Sequence, residues 1–154
     1  MTVATAKISS AAISKNLDYI RALAPGKSIM AVVKANGYGH GLATVVAALK
    51  DTDSFAVARM NEAECLRTLT DKEIVVLEGF VDAVELEQAI ELSLQAVIHS
   101  AYQYDLIKSA GKKVSVWLKL DTGMNRLGLS EPEYRQMLAA TELLELKGVM
   151  SHLA

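Results

Sequence analysis

Lys34 closes the apolar run Ala31-Val32-Val33 and is followed at once by Ala35-Asn36-Gly37-Tyr38-Gly39-His40-Gly41. A cation at the C-terminal mouth of a buried strand stands where parallel α/β folds keep their chemistry. An ammonium there is costly unless it is paired, neutralised or used covalently. A desolvated lysine amine that has lost its proton attacks aldehydes, so Schiff-base chemistry is what this placement suggests. The plain alternative is a lysine that snorkels from a strand end into water. The three glycines permit positive φ and close backbone approach. A strand-to-helix turn also aims N–H groups at an anion lying above it. Their spacing is not the dinucleotide fingerprint. Tyr38 has a hydroxyl to offer such an anion, and His40 reads as a residue that fixes the loop.

A second group of residues follows a second apolar run: Trp117-Leu118-Lys119-Leu120-Asp121-Thr122-Gly123-Met124-Asn125-Arg126-Leu127-Gly128. Lys119 and Arg126 are two cations at and beyond a strand end, and two partly buried cations need an anion between them. A guanidinium grips a carboxylate through two parallel hydrogen bonds, which a lysine cannot do. A surface pair of Asp121 with either cation is the plain alternative. A third group, Met150-Ser151-His152-Leu153-Ala154, puts a histidine at another strand end. Val76-Leu77-Glu78-Gly79 reads as core, His99 as structural, and Cys65 as a core thiol. The three histidines show no metal-ligand spacing, so no metal is expected. No GxSxG motif or phosphate loop calls for another chemistry.

These residues need strands and helices to hold them. Runs of strand length occur at 28–34, 55–58, 74–78, 95–99, 114–121 and 146–152. They are rich in Val and Ile and mostly do not alternate, as expected for parallel strands buried on both faces. Helical periodicity fills 9–23, 42–50, 61–68, 81–92, 101–110 and 132–141, with Ser10, Asn61 and Asp82 as expected N-caps. Ser130-Glu131-Pro132 is a further helix start. The βα alternation predicts a parallel sheet, either doubly wound or barrel-like. A complete barrel takes about 250 residues, so 154 residues with six strands suit an incomplete one.

Composition narrows the class. Half of the chain (51%) is apolar and 22% is charged, an ordinary globular balance. A formal net charge of −2 offers no field to attract nucleic acid. One cysteine excludes an internal disulfide framework and fits a reducing compartment. No apolar run is long enough for a membrane span, and the first ten residues lack a signal-peptide core. The expected location is the cytoplasm.

Residues 34–41 and 121–128, with the His152 segment in the right order after them, resemble alanine racemases, enzymes of the fold-type III barrel that use pyridoxal 5′-phosphate (PLP). The likeness runs over essentially the whole chain. It implies a parallel (β/α)8 TIM-type barrel, with about six of its strands present in residues 1–154. The barrel end and a C-terminal β-domain are then expected outside these residues. It implies that Lys34 is the catalytic lysine and holds PLP, and that Tyr38 donates to the phosphate. Arg126 is implied to contact the PLP phenolic oxygen and the substrate carboxylate. Lys119 is a candidate for N-carboxylation, which orients the arginine. His152 is implied to support the cofactor from behind, bonded to a catalytic tyrosine and an arginine expected beyond Ala154. The implied reaction interconverts L- and D-alanine by two-base proton transfer in a homodimer, and the isolated 154 residues are expected to be inactive. The implied partners are alanine and a second subunit, with neither nucleic acid nor membrane. Alternatives are a PLP-binding barrel without racemase activity, or a racemase or decarboxylase of the same barrel group acting on another amino acid.

Overall fold

The computed structural model describes residues 4–140 and 142–153. Thr141, the expected end of the last helix, and Ala154, the last residue of the third motif, lie outside the described residues. Six strands make one sheet: β1 (Met30–Val32), β2 (Ser54–Val57), β3 (Glu73–Val76), β4 (Gln95–Ile98), β5 (Val114–Lys119) and β6 (Leu144–Met150). All five pairings are parallel and the strands lie side by side in chain order. A doubly wound sheet reverses its order at a switch point. This one never does, so its strands are successive staves of a barrel.

Between the strands run α1 (Ser10–Leu23), α2 (Lys34–Tyr38), α3 (Leu42–Ala48), α4 (Met60–Arg67), α5 (Ala83–Glu91), α6 (Ala101–Ala110) and α7 (Glu131–Ala139). The helices cover one face of the sheet. There Val33, Phe55, Val57, Leu66, Ile74 and Val76 form one buried cluster, and Leu86, Ile98, Ile107, Val116, Leu118 and Leu129 form a second. Each such side chain contributes about 1.5–3 kcal/mol by leaving water. The opposite face carries its own cluster of Met30, Ala56, Val75, Leu77, Val97, Trp117 and Met150, to which no helix contributes. That face is the barrel interior.

β2 and β4 are buried on both faces, as their unbroken apolar runs predict. β5 alternates instead: Val114, Val116 and Leu118 are buried against helices, while Ser115, Trp117 and Lys119 face the other way. Period two therefore sets Lys119 on the interior face, two residues beyond Trp117. Inside the barrel Trp117 Nε1 donates to the buried Gln95 Oε1 at 2.6 Å, which satisfies both polar groups.

Capping explains most helix starts. Ser9, not Ser10, caps α1, accepting from Ala12 N through its hydroxyl. Asp82 caps α5 as expected, accepting from Glu85 N at 2.9 Å. Glu133 holds both the N–H and the hydroxyl of Ser130 at the start of α7. Asn61 is not a cap, because α4 begins one residue earlier, at Met60 behind Arg59. An arginine has no acceptor, so Glu62 supplies the capping interaction alone, taking Arg59 N at 3.2 Å.

Candidate active site

Lys34 is not the last residue of a strand. It opens α2, which is a left-handed turn: Ala35, Asn36, Gly37 and Tyr38 all have φ between 52° and 63°. Left-handed conformation costs an L-residue roughly 1–2 kcal/mol. Three of these four are not glycine, so the turn exists only because its surroundings hold it. Gly37 N donates to Val33 O, Gly39 N to Ala35 O and Gly41 N to Asn36 O. Asn36 Oδ1 accepts from Leu42 N at 2.8 Å, and His40 Nδ1 donates to Gly37 O at 2.8 Å. Glu62 Oε1 accepts from Ala35 N at 2.6 Å. A side chain at Gly37 would begin 2.8 Å from the Val45 methyl, so close packing as well as φ requires glycine there. The His40 bond lies within the turn, in keeping with a residue that fixes the loop.

The second motif is a closed loop. Leu120 and Leu129 form a parallel bridge at its base, with Leu129 N donating to Lys119 O and Asp121 N to Leu129 O. Inside it, Asp121 Oδ1 accepts from Gly123 N at 2.8 Å and from Asn125 N at 3.2 Å. These backbone donors hold the Asp121 carboxyl below the usual carboxylate range. Among the described residues it makes no ion pair with Lys119 or Arg126, so the surface-pair reading does not hold. Its charge shapes the loop that presents Arg126. Ser151 donates to Leu120 O at 2.9 Å, which leaves Thr122 as the donor in the 2.8 Å contact between the two hydroxyls. The end of β6, and His152 with it, is thereby tied to the arginine loop.

The three motifs meet. Lys34, Tyr38, Lys119, Arg126 and His152 line one cleft of about 470 Å³ at the C-terminal ends of the strands. Val32, Leu77, Leu127 and Met150 supply its apolar wall. Among the described residues one carboxylate lines the cleft, that of Glu78, and it is engaged by Arg59 at 3.2 Å. Three cations thus outweigh one already paired anion, and such a surface favours an anionic ligand. Burial, above all, pushes the Lys119 amine below its ordinary value; Arg126 and Lys34 add to this and Asp121 opposes it. A primary amine, a phenol and a guanidinium on one cleft can together hold an aldehyde that also carries negative charge.

All five of these residues stand out in the sequence, and others do not. Leu77 and Glu78 line the cleft rather than serving only as core. Glu62 reads in the sequence only as first-turn charge, and its distant partner Ala35 carries no local signal. Cys65 is exposed, not core. It lies on a separate cavity of about 590 Å³ behind the lysine turn, between α3 and α4, lined by no lysine or arginine among the described residues. His99 is structural, its Nε2 donating to Glu78 O at 3.1 Å.

Lys119 carries a pH prediction. Its folded-state proton affinity is lowered, so charging it opposes folding. Below both pKa values the full penalty is present. As pH rises toward the unfolded value of 10.5 the unfolded chain binds more protons, and the penalty fades. Lys119→Met should raise the Tm at neutral pH in carbon-dioxide-free buffer, with the gain shrinking as pH climbs toward that value. Thermal unfolding across pH checks this, and a gain that does not vary with pH contradicts it.

Comparison with known proteins agrees with this geometry. Residues 8–154 match the family model described as alanine racemase, N-terminal domain. The alanine racemase of Shewanella woodyi is 44% identical over 156 residues, covering 97% of this chain and 44% of that protein. That of Coxiella burnetii is also 44% identical, over 161 residues, covering all of this chain and 44% of its own. The chain therefore spans less than half the length of these relatives. Among solved structures, the biosynthetic alanine racemase of Pseudomonas aeruginosa superposes with a TM-score of 0.87 at 41% identity, over 93% of this chain and 42% of that one. The alanine racemase of Bartonella henselae, described with covalently bound pyridoxal phosphate, gives 0.82 at 30% identity over 96% and 46%. On its folded core and the order of its motifs, the chain belongs to the alanine racemase N-terminal domain family.

Proposed function

We propose that the intact gene product carrying this chain is a PLP-dependent alanine racemase. The observation that carries this reading is the meeting of Lys34, Tyr38, Lys119, Arg126 and His152 on one cleft from three separate strand ends. The donor set fits the cofactor. The amine of Lys34 suits its aldehyde, Tyr38 and the cationic surface suit its phosphate, and Arg126 suits its phenolic oxygen or a substrate carboxylate. When bound, PLP supplies an electron sink that stabilises the carbanion left by loss of the alanine α-proton.

The chain's own residues do the rest. Lys34 Nζ would hold the cofactor and, as a free amine, would accept the proton from Cα on one face. Arg126 orients the carboxylate so that the Cα–H bond points at Nζ. Lys119 is proposed to carry an N-carboxyl group, which replaces a cation beside Arg126 with an anion and removes their mutual repulsion. His152 is proposed to support the cofactor side of the cleft through groups outside residues 1–154. Inversion needs a proton delivered to the opposite face, and that acid is assigned to a tyrosine outside this chain, contributed across a homodimer. The 154 residues alone are accordingly proposed to be inactive. A cytoplasmic location completes the reading.

The test is direct. The intact gene product, supplied with PLP and L-alanine, should form D-alanine until the two enantiomers are equal. PLP capture without D-alanine would favour a binding protein, and conversion of a different amino acid would reassign the substrate.

A further inference from the structure

The left-handed turn behind Lys34 needs an external hold, and one side chain provides it from 27 positions away. Val33 N donates to Ala56 O at 2.8 Å, and this is where the β1–β2 ladder stops. The next N–H on the same edge, that of Ala35, is swung out of the ladder by the left-handed backbone. Glu62 takes it at 2.6 Å through Oε1. The other carboxylate oxygen takes Ala58 N at 2.8 Å, just past the end of β2, and Arg59 N at 3.2 Å. One carboxylate therefore joins the C-terminal ends of β1 and β2 beyond their last shared backbone bond.

We propose that Glu62 is a positioning residue for Lys34: by gripping the N–H groups of Ala35 and Ala58, its carboxylate sets the direction in which the lysine enters the cleft. The inference rests on the reading of Lys34 as the cofactor lysine. The physical route is short. The Lys34–Ala35 peptide is planar, so holding the Ala35 N–H fixes the plane next to the Lys34 Cα and hence the direction of its side chain. Glu62 is itself well placed for this, because α4 is anchored by buried Met60, Ala63 and Leu66 on either side of it. The Oε2 bonds belong to the start of α4. The Oε1 bond does nothing for α4, since its donor, the Ala35 N–H, belongs to the left-handed turn after β1.

Glutamine has the shape of glutamate but one acceptor oxygen in place of two, with an NH₂ that faces an N–H donor. A packing role thus predicts that Glu62→Gln behaves like the unaltered protein, whereas a positioning role does not. Losing a charge-assisted hydrogen bond corresponds to about a ten- to hundredfold change in an equilibrium. In the intact gene product stripped of cofactor, Glu62→Gln should capture added PLP at least about tenfold more slowly, followed by the visible absorption band. Glu62→Ala should be slower still, and hydrogen exchange at the Ala35 amide should quicken in both.

The outcomes separate cleanly. Slowed capture by variants that remain folded at the assay temperature, with faster Ala35 exchange, supports the proposal. Unchanged capture by Glu62→Gln, with borohydride trapping PLP on Lys34 in the unaltered protein, overturns the role of Glu62 and leaves the lysine reading intact. Trapping of PLP elsewhere in the unaltered protein overturns the lysine reading itself. Should the variants fail to fold, the unaltered protein still decides. An Ala35 amide that exchanges as fast as in an unfolded chain overturns the proposal.

Discussion

Lys34→Ala in the intact gene product should abolish borohydride-stable attachment of PLP at position 34 and lower racemisation at least about a thousandfold. The size follows from two losses at once. A positioned base contributes about 10²–10⁴-fold by itself, and on the proposed reading the same amine also captures the cofactor. No other residue on the cleft substitutes for it. Lys119 is two residues beyond Trp117 on β5, in another strand, and Arg126 is a guanidinium without nucleophilic character. The fold should survive, because the Lys34 amine makes no hydrogen bond or ion pair among the described residues, and the turn is held through backbone groups. Circular dichroism and Tm should therefore stay near those of the unaltered protein while the label disappears. Peptide mapping after reduction reads the result. An undiminished label, or label spread over other lysines in the unaltered protein, would remove the basis of the functional proposal.

The largest expected effect on stability belongs to Gly79→Ala. Gly79 sits at φ 65°, and a Cβ there would lie 2.5 Å from the carbonyl oxygen of Val97 and 2.5 Å from Gln103 Nε2. Neither neighbour can retreat cheaply. The carbonyl is in the middle of β4, and Gln103 is 2% exposed and satisfies three backbone groups. Its Nε2 donates to Glu78 O at 3.0 Å and Phe80 O at 3.2 Å, and its Oε1 accepts from His99 N at 2.9 Å. Displacing that amide strands buried polar groups at about 1–3 kcal/mol, overpacking adds about 1–3 kcal/mol, and left-handed alanine about 1–2 kcal/mol. The expected loss is about 3–8 kcal/mol, a large share of the roughly 5–15 kcal/mol that holds a domain together. Chemical denaturation measures it, and an unchanged midpoint would contradict the packing described. The loop it supports carries Leu77 and Glu78 on the cleft wall, so a folded variant should also bind PLP more weakly.

Several features of the fold are legible in the order of residues. Six apolar runs separated by helical periods point to a parallel sheet, because period and length are local properties of the chain. Asp82 and Ser130 announce their helices, since a cap acts over three or four residues. The expected caps at Ser10 and Asn61 each miss by a position or two. The neighbouring Ser9 takes the first cap, and α4 starts at buried Met60, behind an arginine with no acceptor to cap it. Cys65 reads as core because its thiol has no His or basic partner nearby in the sequence, yet it stands two residues past buried Ala63, about 200° around α4, and so faces outward.

By itself, the sequence determined the alternation of strands and helices, the three chemical segments and their order, and the residue types able to hold an aldehyde and a carboxylate. Tertiary structure alone decided the unreversed strand order that makes a barrel stave of each run. It also decided the left-handed turn behind Lys34, the closed loop around Asp121 and the single cleft on which three distant segments meet. The division has one physical cause. Local signals act over a few residues, whereas a strained turn or a cluster of like charges persists only when partners far along the chain hold it in place, as Glu62 holds Ala35.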